Sequence, residues 1–208
     1  MSKRNYMIIR DAAVVTSDHF MATGLLHASL AAGRIAVLAE DISSLAKVKK
    51  YIYLSAPDCM FDLIAGVIPS GSGLFLLNVD AQSDLFGPVR MLSSLTSVPF
   101  VIVSCTHDTL CEALFNIAST PYEFKNHVPA VRKFSAVETE VFFLALNGLD
   151  RRTIAELTGK GLKNIYNYHR LLSVKLGVRN LSHFIMTVSP VKEDFLDKIR
   201  VLFKYRGK

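Results

Sequence analysis

The chain has 208 residues, of which 50% are hydrophobic and 20% are charged. This composition provides enough apolar material for packed cores and excludes an intrinsically disordered chain. The formal net charge is +6, and it is unevenly distributed. Residues 1–124 hold 8 Lys and Arg against 11 Asp and Glu, a net of −3, whereas residues 125–208 hold 16 against 7, a net of +9. We therefore expect a polyanion partner for the second half alone, with a merely solvated basic face as the alternative.

Cysteine content and apolar runs indicate where the protein resides. The chain has three cysteines, Cys59, Cys105 and Cys111, and a low, odd number does not form a disulfide framework. The cysteine content therefore predicts a cytoplasmic protein. Two uncharged runs, 63–79 and 91–107, approach the length of a membrane span. Both contain Pro, Gly or several Ser, so we interpret them as buried strands with their loops and expect no membrane partner.

The first half alternates strand-like and helix-like segments. Strands are predicted at 12–15, 35–38, 74–79 and 99–104, and helices at 20–30, 43–53, 60–67, 86–95 and 109–118. Asp58 and Asp62 are expected to cap and solvate the third of these helices. Strands that alternate with helices predict an α/β domain with a parallel sheet over residues 1–120.

The second half is helical throughout. Residues 121–131, with Pro121 and Pro129, are the predicted linker. An all-α domain is expected over 132–190, followed by a basic amphipathic helix over 191–208, for which packing is favoured over a second contact with nucleic acid. Ser135 and Glu138 have the spacing of a capping box, and Gly148 suits the left-handed end of the first helix.

Two further helices surround a glycine-bearing turn. Asp150 is the predicted cap of a helix over 151–157, and the next helix is expected at 162–176 after Gly159 and Gly161. Its apolar positions, Leu162, Ile165, Leu172 and Leu176, share one face. Its other face carries Lys163, Tyr166, Asn167, Arg170 and Lys175, side chains that suit phosphate neutralisation and hydrogen bonds to base edges. A helix over 182–188 follows.

This half resembles the LuxR/NarL family of bacterial transcription regulators. The matching residues stand at the family spacing without a gap: Phe134-Ser135, Glu138, Glu140-Val141-Phe142, Gly148, Ile154-Ala155, Asn164-Ile165 and Lys175-Leu176-Gly177-Val178. Tyr168 occupies the position of the family histidine. The resemblance implies a helix-turn-helix that binds double-stranded DNA, with a scaffold role for Glu138. The candidate DNA contacts are Arg151, Arg152, Lys163, Asn164, Tyr166, Asn167, His169, Arg170 and Lys175.

In that family an α/β domain ahead of the DNA-binding module is a response-regulator receiver. The acidic pair of a receiver is reduced here to Ser17-Asp18, and its phosphoacceptor position is best matched by Asn78, with Asp80 as the alternative. Few residues remain between 104 and 134 for a last strand and helix. The resemblance therefore implies a truncated, degenerate receiver that forms a homodimer, or a heterodimer with a full response regulator, and acts independently of aspartyl phosphorylation. RNA polymerase is a further implied partner.

Sequence patterns of catalysis and metal binding are weak. Cys105, His107, Asp108 and Cys111 are closely spaced but lack a second pair of zinc ligands. No Gly-rich phosphate loop follows the first strand. We expect a non-enzymatic protein without a cofactor or metal. Two other hypotheses are a co-regulator that depends on a partner and a regulator that senses a ligand or a redox signal.

Overall fold

The computed structural model describes residues 3–39, 43–68, 72–77, 86–96, 98, 100–103, 110–119 and 133–205. Contacts cluster into two compact units, Met1–Ser83 with Leu92–Pro129 and Asp84–Met91 with Ala130–Lys208. The predicted linker, 121–131, lies outside the described residues. The first unit combines strands with helices, and the second is built from helices.

The strands of the first unit form one six-stranded sheet in the order β3-β1-β2-β4-β5-β6. They are β1 (Asn5–Ile9), β2 (Ala12–Thr16), β3 (Ala36–Ala39), β4 (Lys50–Tyr53), β5 (Gly73–Leu77) and β6 (Phe100–Val103). β1 and β2 make a hairpin in which Ile9 pairs with Ala12. Arg10 at φ +53° forms the tight turn between them.

The sheet is mixed, so the prediction of a parallel sheet is wrong in part. β1 is antiparallel to both β2 and β3, and it lies between them. Strands β2, β4, β5 and β6 run parallel. Since β2 and β3 both oppose β1, they run in the same direction. Without β1, the parallel strands follow the order 2-1-3-4-5 of doubly wound flavodoxin-like sheets.

Two sequence predictions fail at β4. Residues 43–53 were expected to be a helix, but only Ser43–Leu45 form a short 3₁₀ turn and Lys50–Tyr53 are a strand. Tyr51, Ile52 and Tyr53 are buried on both faces of the sheet, which aromatic and β-branched side chains favour. The prediction of a truncated sheet is therefore also wrong. With β4, which the sequence pattern did not reveal, five strands of the sheet run in the same direction.

Helices cover both faces of this sheet. They are α1 (His19–Ala31), α2 (Ala56–Ala65) and α4 (Leu110–Ser119), whereas α3 (Phe86–Thr96) is divided between the two units after Met91. Leu25 of α1 and Leu114 of α4 share a core with Ile9, Val14 and Ile52. α2 contacts β2 and β4. There the Tyr53 hydroxyl donates a hydrogen bond of 3.0 Å to the Asp62 carboxylate.

The two aspartates of α2 are buried, so the prediction that they cap and solvate the helix is wrong. Asp58 is 3% exposed and Asp62 is 1% exposed. Asp62 forms an ion pair with Arg4, in addition to its bond from Tyr53. Buried carboxylates require such partners because an unpaired charge in an apolar interior is costly. The helix itself begins after Ser55.

Besides the first part of α3, the second unit contains α5 (Ala136–Leu146), α6 (Arg151–Thr158), α7 (Leu162–Leu176), α8 (Leu181–Val188) and α9 (Lys192–Tyr205). These confirm the predicted helices to within a few residues. Phe142 of α5 contacts Phe184 of α8 at a centroid distance of 5.9 Å, and Phe184 contacts Phe195 of α9 at 6.0 Å. Ile199 is also buried, so α9 packs on the unit through its apolar face as predicted.

Glu138 joins the start of α5 to the end of α7. The predicted capping box is confirmed: the Ser135 amide donates to the Glu138 carboxylate at 2.6 Å, and the Glu138 amide donates to the Ser135 hydroxyl at 3.3 Å. The same carboxylate oxygen forms an ion pair of 2.6 Å with Lys175 Nζ. Burial alone would raise the pKa of Glu138, but the bonds from Lys175 and Ser135 outweigh it and hold the pKa below its ordinary 4.5.

We predict that Glu138→Gln lowers the free energy of unfolding by about 2 kcal/mol at pH 7, because it breaks a mostly buried charge pair and weakens the cap. A carboxyl whose pKa is lowered by folding stabilises the protein above its ordinary pKa, and the contribution is lost as the pH falls through the folded-state value. The difference between wild type and variant should therefore shrink in acid. Urea unfolding at several pH values measures this, with the exposed Glu140→Gln as the matched control. Equal effects of the two substitutions would contradict the assigned role of Glu138.

Candidate nucleic-acid interface

A three-residue turn connects α6 to α7. α6 ends at Gly159, whose φ of +63° is the left-handed conformation that favours glycine. Lys160 and Gly161 complete the turn, and Gly161 is the N-cap of α7 without a side-chain hydrogen bond. α6 and α7 pack against each other and both contact α5. Two helices joined by a short glycine-containing turn are typical of a helix-turn-helix.

α7 presents a polar row opposite its buried face. Ile165, Leu172 and Leu176 are fully buried against the rest of the unit. Lys163, Asn167 and Arg170 are exposed, and their spacing of four and three residues places them on one face. Asn164 and Tyr166 are also exposed and lie on either side of this row. These five predicted site residues are thus accessible to a partner over the first half of the helix.

Arg151 links the start of α6 to α7. Its guanidinium carbon lies 4.6 Å from the centroid of the Tyr166 ring, a cation–π distance. Arg152 is exposed at the next position. Asp150 caps the start of α6, because its carboxylate accepts hydrogen bonds from the amides of Arg152 and Thr153 at 2.8 and 3.1 Å. The two arginines therefore add positive charge beside the exposed row of α7.

Lys175 occupies a structural position, although the sequence placed it among the DNA contacts. Its ammonium group donates to the Glu138 carboxylate at 2.6 Å and to the Lys133 carbonyl at 3.0 Å. Two acceptors hold the ammonium group against the start of α5. Its charge is therefore neutralised within the unit, and we remove it from the set of candidate phosphate contacts.

His169 is buried, so its prediction as a surface contact is wrong. The side chain is only 9% exposed, and neither ring nitrogen has a hydrogen-bond partner among the described residues. Burial, reinforced by the positive charge of Arg151, lowers the pKa of His169 from 6.5 to about 4. The imidazole is therefore neutral near pH 7 and does not add to the basic surface.

His169 is among the residues that line a groove of about 730 Å³ within the second unit. Leu162 and Tyr166 of α7 form one wall, and Ile185 and Met186 of α8 form another. Arg151 and Arg152 also line it. The groove thus borders the polar row of α7, and its walls combine apolar side chains with two cations.

The carboxyl ends of β2 and β4 bring together polar groups of the first unit. The Ser17 amide donates to the Asp58 carboxylate at 2.7 Å, and the Ser55 hydroxyl donates to the same oxygen at 2.5 Å. Asp18 instead caps α1 through the Met21 amide at 3.0 Å. Asn78 lies outside the described residues. It follows β5, the fourth of the five strands that run in the same direction.

Several of these residues escaped the sequence reasoning. Asp58 was missed because it was assigned to a solvated helix face, and its acceptor role depends on Ser17, 41 residues away. The pairing of Glu138 with Lys175 spans 37 residues and has no local signal. Burial of His169 could have been found from its spacing, since it lies four residues after Ile165 and seven before Leu176 on the apolar stripe.

Cysteines and acidic groups do not assemble into a metal centre in the described part of the chain, where no cluster of three or more His, Cys, Asp or Glu occurs. Burial, with a smaller contribution from Asp58, raises the pKa of the Cys59 thiol well above its ordinary value, which disfavours a reactive thiolate. Cys111 is exposed. Within the described ranges, no helix combines the length and the apolar character needed to cross a bilayer.

Comparison of the chain with protein-family models, curated proteins and solved structures found no match.

We predict that His169 makes the protein less stable in mild acid. The unfolded chain takes up a proton near the ordinary pKa of 6.5, whereas the folded chain resists protonation until about pH 4. Stability is therefore lost progressively as the pH falls through this window, by roughly 2 to 3 kcal/mol at its lower end. His169→Leu, of similar size and apolar, should abolish this component while changing stability at pH 7 by less than about 1 kcal/mol.

Urea unfolding from pH 7 to pH 4 measures the effect, and the exposed His183→Leu in the same unit is the control that should follow wild type. Parallel pH profiles for wild type and His169→Leu would contradict the burial of an unpartnered imidazole.

Proposed function

We propose that this protein is a sequence-specific DNA-binding regulator of transcription in which α7 enters the major groove. The observation that carries the proposal is the exposed row of Lys163, Asn167 and Arg170 on the second helix of a helix-turn-helix. An α-helix fits the major groove, where amide and guanidinium side chains make bidentate hydrogen bonds with base edges.

Charge supports a polyanionic partner for this unit. Residues 125–208 carry a net charge of +9, whereas residues 1–124 carry −3. Arg151 and Arg152, beside the row, are suited to phosphate contacts that fix the position of α7 on the duplex. Tyr166 is held by Arg151 at 4.6 Å, so its ring is oriented before DNA arrives. The buried His169 and the ion-paired Lys175 lie outside this arrangement and do not contribute to it.

The first unit supports regulation without aspartyl phosphorylation. In a receiver the acceptor aspartate ends the third parallel strand. Here that strand is β4, and Leu54 and Ser55 follow Tyr53. The nearby Asp58 is 3% exposed, and two hydrogen bonds occupy one of its oxygens. These features favour a receiver-like unit whose role is association, either with a second copy or with a full response regulator.

The helical unit agrees with the LuxR/NarL type of regulator at its structural positions. Glu138 holds α5 to α7, as its scaffold role in that family implies. Gly148 and Gly177 adopt left-handed conformations at φ +86° and +72° after their helices. A regulator of this type contacts RNA polymerase once it is positioned on a promoter.

We predict that Arg170→Ala weakens binding to the preferred DNA site by about 1–3 kcal/mol, because a base-reading contact is lost. Lys163→Ala should weaken binding to all sequences and lower the slope of log affinity against log salt by about one. Fluorescence anisotropy with a site selected from genomic fragments measures both quantities across a salt series. Adding acetyl phosphate should leave the affinity unchanged.

The control is Arg200→Ala, which removes the same charge from α9, where Arg200 lies 3.5 Å from Asp197. It should leave specific affinity within about 0.5 kcal/mol of wild type. A loss as large as that of Arg170→Ala would show that bulk charge, rather than the face of α7, binds the DNA.

A further inference from the structure

Large apolar side chains are exposed in a short segment of the first unit. Leu30 of α1 is 58% exposed, and Ile35, Val37 and Leu38 are 77%, 54% and 37% exposed at and just before β3. Such a concentration of exposed apolar groups typically marks an interaction surface.

The same region is almost free of charge. Between His19 and Ala39 the sequence contains one charged residue, Arg34. Its guanidinium carbon lies 5.3 Å from the centroid of the Phe115 ring. A surface helix normally carries charged residues on its outer side, so α1 differs from a helix designed to face water alone.

β3 is an edge strand with an open side. It is the first strand in the sheet order, and among the described strands it pairs only with β1, from Ile9–Ala36 to Tyr6–Ala39. Edge strands present unpaired backbone groups and are usually protected by lysine, proline or a bulge. Ala36, Val37, Leu38 and Ala39 include none of these protective residues.

We propose that α1 and β3 form a two-fold interface through which two copies of this chain associate, with the two β3 strands paired antiparallel. The interface rests on the proposed function in one respect: its role would be to place two copies of α7 on two half-sites of the DNA. A two-fold axis brings the same patch against itself, so charges near it would meet their own copies. A patch in which Arg34 is the one charged residue between His19 and Ala39 is largely compatible with itself and offers little to select a strongly charged partner.

The geometry allows both elements to contribute. Paired strands lie about 4.8 Å apart, and helices above adjoining strands on the same face come within about 10 Å, the distance of packed helices. α1 packs on β1 and β3. Leu30 is exposed near the end of α1, whereas Leu26 is partly buried against the core of the unit.

The area that a stable interface buries requires both α1 and β3. A stable interface buries roughly 800 Å² on each partner. Four paired residues extend only about 13 Å, and the strand alone offers too little surface. α1 is about 20 Å long, so its edge-facing side chains provide the remaining apolar area.

Sedimentation velocity of the full chain over a concentration series tests the proposal. Val37→Lys places like charges at the two-fold axis, and Leu30→Gln removes apolar area on α1. Each should weaken self-association by about tenfold or more. Phe61→Gln is the matched control, because Phe61 is 39% exposed in the same unit but lies on α2, and it should dimerise as wild type does. Circular dichroism checks that all variants are folded.

A wild-type protein that stays monomeric up to about 100 μM would overturn the proposal, as would Val37→Lys and Leu30→Gln variants that both associate like wild type. Association solely with a different response regulator would also overturn it. DNA binding is measured separately. A monomer whose DNA binding depends on Arg170 would refute the dimer surface and support the DNA interface. A dimer that does not bind DNA would support the dimer surface and refute the DNA interface.

Discussion

The structure of the helical unit depends on the junction between Glu138, Ser135 and Lys175. One carboxylate caps α5 and, through the same oxygen, holds the last turn of α7 by an ion pair of 2.6 Å. Because α7 begins at Gly161 without a side-chain cap, this junction and the packing of Ile165, Leu172 and Leu176 fix its position. The proposed function requires α7 to be held rigidly, and the buried pairing near its C-terminal end supports the exposed row near its N-terminal end.

The charged residues of the helical unit fall into two groups: those that form contacts within the unit and those that remain exposed to a partner. Lys175 and Asp150 are engaged within the unit, whereas Lys163 and Arg170 remain exposed on α7. His169 extends the apolar stripe as a neutral side chain, at the cost of an unpartnered imidazole beside the groove. In the first unit, the buried Asp58 accepts hydrogen bonds and the buried Asp62 forms an ion pair. Neither carboxylate is therefore available to a partner, and the surface that remains for association is apolar.

Prediction from sequence succeeded where signals are local and failed where they are not. The capping box at Ser135, the left-handed Gly148 and the cap at Asp150 each lie within a few residues of the helix end they define. β4 was missed because a four-residue strand has little periodicity of its own, and its identity depends on pairing with β2 and β5. Without β4, the strand that ends at Leu77 is counted as the third rather than the fourth of those that run in the same direction. In the candidate site, the exposed row and the burial of His169 both follow from helical spacing, whereas the pairing of Lys175 with Glu138 depends on a tertiary contact.

The most direct measurement is selection of genomic DNA fragments by the purified protein, followed by affinity measurements on the recovered fragments from low to physiological salt. The account predicts enrichment of a common site, with affinity that falls steeply as salt rises because several phosphates are contacted. Recovery of unrelated fragments with equal affinity, or no binding even at low salt, would contradict the claim that α7 reads DNA sequence.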